Sequence, residues 1–110
     1  MNDQAELLKR MRAAAFTRSN GQVLRTVNIL RHKYVSLQDV RCAVERDMDE
    51  QQYLDCINFL SEAEYIHLRG ISSKQPASLA DADYMQLEAK VSERGIRLLQ
   101  GELSDKMVDT

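Results

Sequence analysis

The apolar residues of this chain change period after Ala63. From residue 4 to Ala63 they recur at helical spacing. After that, Tyr65-Ile66-His67-Leu68-Arg69 alternates apolar with polar, and Tyr84-Met85-Gln86-Leu87-Glu88-Ala89-Lys90-Val91 does so again. A change of period from 3.6 to 2 calls for several helices packed on one face of a small hairpin. The chain's 110 residues suffice for one modest core and not for two.

The helical part divides by its caps and turn residues. Residues 4 to 16 place Leu7, Leu8, Met11, Ala14 and Ala15 on one face, with Lys9, Arg10 and Arg12 turned away. Arg18-Ser19-Asn20-Gly21 reads as a break, after which Val23, Leu24, Val27 and Leu30 start a second helix running to about Lys33. Tyr34 and Val35 form a short extended link. Ser36 and Asp39 fit a capping box, so a third helix begins at Leu37, buries Val40, Val44 and either Leu37 or Cys42, and ends near Asp47. Asp49 with Gln52 caps a fourth, from Glu50 to about Ala63.

In the hairpin Ile66 and Leu68 face inward from one strand and Met85, Leu87, Ala89 and Val91 from the other. The Gly70–Asp83 connection, with Gly70, Ser72, Ser73, Pro76 and Ser78, is long for a hairpin, which predicts a mobile loop. Ser92 caps a last helix presenting Ile96, Leu99 and Leu103, with Gly101 as its C-cap. The fold class expected is mostly α with a small β-hairpin, in the order of a winged helix-turn-helix carrying an extra N-terminal amphipathic helix. Residues 1–19 are that arm, 20–103 the winged-helix domain and 104–110 a flexible tail.

Three stretches carry a family resemblance: Asn20-Gly21-Gln22-Val23-Leu24-Arg25-Thr26-Val27-Asn28-Ile29-Leu30, Phe59-Leu60-Ser61-Glu62-Ala63-Glu64-Tyr65-Ile66, and Ser92 through Gly101. Over about residues 20 to 108 the chain resembles small winged-helix proteins encoded by Mu-like and related prophages. The resemblance implies a DNA-binding, transcription-regulatory role and no catalytic or metal residues. Two positions depart from the family pattern. Glu64 stands where winged helices often have Gly before the first wing strand, and Asp105-Lys106-Met107 replaces a common Asp-Pro-Gly ending.

In such a fold the helix from Glu50 enters the major groove. Its outward face is Gln51, Gln52, Asp55, Asn58 and Glu62, with Phe59 at the edge. Gln and Asn can read adenine, and Asp can accept from cytosine. Yet from Asp47 to Glu64 there are six acids and no Lys or Arg, which opposes a polyanion. That face is therefore simply solvated, a dock for a basic protein partner or, third in order, a reader of the groove. Charge elsewhere favours DNA: residues 1–38 hold seven Lys or Arg against two acids (+5), and residues 39–110 hold eight against fifteen (−7). Arg18, Arg25, Arg31 and Lys33, with Arg69 and Lys74 beside the wing, are the candidates for double-stranded DNA backbone contacts, though Asp81 and Asp83 in the same loop work against it.

Other chemistries find little. Cys42, Cys56, His32 and His67 lack zinc-like spacing, and the four glycines stand apart, so no metal, cofactor or catalytic site is expected. Composition is ordinary for a globular chain, with 44% hydrophobic and 29% charged residues and no long apolar run. A cytoplasmic protein that does not enter a membrane is expected, with both cysteines reduced and buried. The stripe on the first helix must be covered, either by its own domain or by a second copy in a homodimer.

Overall fold

The computed structural model describes residues 2–110. It is mostly helical: α1 (Asp3–Val27) runs into a short 3-10 turn at Asn28–Leu30, followed by β1 (Val35–Ser36), α2 (Leu37–Val44), α3 (Glu50–Glu62), β2 (Ile66–Gly70), a second 3-10 turn (Tyr84–Gln86), β3 (Leu87–Val91) and α4 (Glu93–Leu99). The three strands form an antiparallel sheet in the order β1-β3-β2. The extended link at Val35 thus becomes a strand, paired Val35 to Ala89 and Ser36 to Glu88, a pairing that two residues of sequence cannot announce.

Two capping signals act as expected, and the box expected at Ser36 and Asp39 forms only by half. The Ser36 hydroxyl accepts from Asp39 N (3.1 Å) at the start of α2. At α3 the Asp49 carboxylate accepts from Gln52 N while the Gln52 side chain accepts from Asp49 N, both at 2.8 Å. Ser92 caps α4 by accepting from Gly95 N at 3.0 Å.

The core is closed by Val23, Leu24 and Val27 of α1, Leu37, Val40 and Val44 of α2, Tyr53, Cys56, Ile57 and Leu60 of α3, and the inward sheet residues Ile66, Leu68, Leu87, Ala89 and Val91. Leu37, not Cys42, fills the third core place on α2, and Cys42 is exposed. Met85 is about half exposed because Tyr84–Gln86 turns as 3-10 before the strand begins. On α4 the fully buried residue is Leu98, with Ile96, Leu99 and Leu103 only half-buried.

The expected break at residues 18–21 is absent; α1 is one helix of 25 residues. Asn20 and Gly21 are instead where the C-terminal segment crosses it. The Asn20 side-chain amide donates to Met107 O (2.9 Å), Asp109 N donates to Thr17 O (3.1 Å), and the Arg25 guanidinium donates to Asp109 O (2.7 Å). A Cβ on Gly21 would lie 1.9 Å from Asp109 O. Val108 is buried in the same seam, so residues 105–109 are docked and not a loose tail. Turn-forming residues here serve tail packing, and an existing helix overrides their local preference.

The β2–β3 connection is also pinned. Ala77 N donates to Leu68 O, Ile71 N to Gln86 O, and Gly70 N to Gln75 O, while Asp81 accepts from Ser78 N and Oγ. This loop folds back on the sheet edge where the sequence suggested mobility. At the end of α3, Glu64 takes the left-handed conformation (φ 64°), with Tyr65 N donating to Leu60 O and Glu64 N to Ser61 O. That is a Schellman ending made without glycine. Ser92 holds it by donating its hydroxyl to Glu64 O (2.6 Å) and its N–H to Tyr65 O (3.0 Å). One serine thus locks the end of α3 to the start of α4.

The cysteines differ enough for a direct check. Burial, with Asp55 adding to it, pushes the Cys56 thiol up to about 12, whereas Cys42 is exposed. Because the thiolate is the reactive form, an excess of a maleimide at neutral pH is expected to label one thiol per folded chain and two after denaturation. Equal native rates at both sites would contradict this packing.

Candidate nucleic-acid interface

The outward face of α3 is as acidic as its sequence implied, but smaller. Gln51, Gln52, Asp55, Asn58 and Glu62 are exposed. Gln52 is committed to its capping box, and Gln51 donates to Asp55 (3.1 Å). Phe59 does not stand open beside the acids. It is half-buried, its ring meeting Phe16 of α1 edge-on at 5.7 Å between centroids, because α1 continues past α3 where a break was expected. The face loses its one aromatic anchor and keeps its negative charge.

The six backbone-contact candidates divide into two groups. Arg25 is spent on the C-terminal segment. Arg69 and Lys74 converge on Glu88, at 2.6 and 3.1 Å. Burial disfavours the Glu88 carboxylate, but the hydrogen bonds and charges of Arg69 and Lys74 outweigh it and hold the carboxyl below its ordinary value. The Arg69 guanidinium also lies 3.6 Å from the Tyr34 ring centre, which fixes it against the sheet. These three cations are engaged within the chain. Arg18, Arg31 and Lys33 are exposed, with no ion pair among the described residues.

Arg31 belongs to a grouping that sequence reasoning missed. Strand alternation turns His67 of β2 and Lys90 of β3 to the outer face of the sheet, directly opposite each other in register. The segment between the first 3-10 turn and β1 brings Arg31 and His32 alongside, and α4 adds Arg97 from the other side. Together they line a groove of about 470 Å³. Its two acids, Glu93 and Glu102, share Arg97 (2.8 and 3.9 Å), so three cations face two carboxylates and the groove keeps one net positive charge; Arg31 and Lys90 are in no ion pair among the described residues. The groove adjoins a wider cleft that shares His67, Ser92 and Glu93 and reaches Arg69, Lys74 and Arg94. The only sequence signal was the outward parity of His67 and Lys90, which by itself reads as a solvated strand face.

The groove offers point charges and imidazoles to an anion. Among the described residues no group of three or more His, Cys, Asp or Glu is placed to hold a metal ion, and no helix is long and apolar enough to cross a membrane. No family model, curated protein or solved structure matches this chain.

Proposed function

We propose that this chain is a non-catalytic winged-helix module that binds double-stranded DNA chiefly through its phosphates, in the manner of a small prophage-encoded regulator. The order of helices and strands, with the long β2–β3 connection as wing, supports the fold reading. The observation that carries the binding reading is the groove in which Arg31 and Lys90, neither in an ion pair among the described residues, stand beside His32 and His67 and leave a net positive charge. Phosphate neutralisation supplies most non-specific affinity for DNA, and the acidic α3 face would subtract from it. Contact is therefore assigned to the sheet side and to Arg18 and Lys33, not to α3.

Fluorescence anisotropy with a generic duplex tests this. Binding should weaken steeply as salt rises from about 50 to about 200 mM. Reversing Arg31 and Lys90 together to Glu should lower affinity at least about tenfold and flatten the salt slope by about two. Asp55→Lys should not weaken binding. Absence of binding at about 50 mM salt would overturn the proposal. The acidic, cation-free surface of α3 supports a second reading, an adaptor that docks a basic protein. Under that reading Asp55→Lys abolishes capture of the partner, while the Arg31 and Lys90 changes do nothing.

A further inference from the structure

The chain has two histidines, and the fold brings both to one place. His32 follows the 3-10 turn at Asn28–Leu30 and His67 stands on the outer face of β2, yet both line the groove of about 470 Å³. Histidine is the side chain whose ordinary titration falls nearest neutral pH, whereas glutamate, lysine and arginine ordinarily titrate well outside the range from about pH 5.5 to about 7.5. Across that range the charge of the chain therefore changes chiefly inside this groove. The charges around the imidazoles come from every neighbouring element. In the groove these are Lys90, opposite His67 in register, with Arg31, Arg97, Glu93 and Glu102. On its other flank His67 shares the wider cleft with Arg69, Lys74 and Arg94, with Glu62 and Glu64 at the end of α3, and with the Tyr34 hydroxyl. Both imidazoles are exposed, and neither pairs with a carboxylate among the described residues. A proton gained there is not answered by an acid of the chain and adds to the groove's net positive charge.

We propose, on the reading of this groove as a phosphate-binding site, that His32 and His67 take up protons as DNA binds, so that the chain holds a duplex more tightly as pH falls. A phosphate beside an imidazole favours the protonated form, as any opposite charge does. Binding and protonation therefore assist each other, and affinity is greatest in acid and lost as pH rises. With both imidazoles charged, the groove passes from one net positive charge to three. Each imidazolium is one more cation against the phosphates, so the dependence on salt should steepen along with the affinity.

The test uses the full chain and a generic duplex with 5′-hydroxyl ends, which avoids terminal phosphate monoesters that themselves titrate near about pH 6. At constant ionic strength, fluorescence anisotropy should show affinity rising about fivefold for each imidazole, about 25-fold in all, from about pH 7.5 to about 5.5, the change expected when bound phosphate shifts each imidazole by about one unit. His32→Gln and His67→Gln should each remove about half of that rise on a logarithmic scale, and the double exchange all of it. Because both side chains are exposed, the thermal melt of the double variant should match that of the native chain. Calorimetry at about pH 7 in two buffers of different ionisation heat should count about one proton taken up per duplex bound by the native chain and none by the double variant. Binding that ignores pH, binding without proton uptake, or a pH response that survives the double exchange each overturns the coupling and leaves the phosphate site standing. Absence of binding at both ends of the pH range removes the phosphate site itself, and the coupling with it.

Discussion

Replacing Tyr53 by alanine is expected to cost about 3–5 kcal/mol, the range for removing a large buried aromatic ring. For a domain whose total stability is of the order of 5–15 kcal/mol, this removes a large fraction of it. The side chain is fully buried at the centre of the core. Its ring meets Tyr84 edge-on at 5.9 Å, and its hydroxyl donates to Leu37 O at 2.6 Å, tying α3 to the first turn of α2. Tyr53→Phe keeps the ring and should cost only about 0.5–1.5 kcal/mol. Urea denaturation of both variants separates ring from hydroxyl, and equal losses would mean that packing around the ring contributes nothing.

The same residue sets an alkaline limit. Burial, seconded by Tyr84, raises the Tyr53 pKa well above the ordinary tyrosine value. Above about pH 10 the unfolded chain therefore loses this proton while the folded chain keeps it. Stability from this source is complete below that pH and declines as pH rises. The decline should be shallower in Tyr53→Phe.

Gly95→Ala is expected to destabilise by about 1–3 kcal/mol, although alanine is the better helix former by about 1 kcal/mol. An added Cβ would sit 2.2 Å from Tyr65 O and 2.9 Å from a Val91 methyl. Both obstacles belong to the sheet and its entry, so relief requires lifting α4. That also strains the Ser92 contacts to Glu64 and Tyr65. A thermal melt should fall by about 4–8 °C for each kcal/mol lost. An unchanged or raised midpoint would show that α4 can shift freely over β2.

The elements that sequence revealed are those whose determinants are local. Ser36, Asp49 and Ser92 cap helices through bonds that span three residues, and Ile66, Leu68, Leu87, Ala89 and Val91 declare their face by parity. What stayed hidden depends on partners far along the chain. Asn20-Gly21 reads as a turn until Met107 and Asp109 are brought against it, and Phe59 reads as exposed until Phe16 covers it. Half of the candidate backbone contacts have partners within the chain that are hidden for the same reason. Arg25, Arg69 and Lys74 look free in sequence but answer to Asp109 O and Glu88. The groove appears only when α4 and the segment after α1 flank the sheet, which no periodicity reports.

The crossing of residues 105–109 over α1 makes the domain a closed circuit. The bond from Asn20 to Met107 spans 87 positions, joining the first core element to the last buried residues, while β3 lies between strands drawn from either side of α2 and α3. Neither half of the chain owns a complete core. α1 and α2 without β3, α4 and Val108 would present their apolar faces to water, so local opening should propagate and the domain should unfold as one unit. The long closure also makes folding slower than the high helix content suggests, because the ends must meet before either is fully buried. Only the first turns of α1 stand outside this circuit.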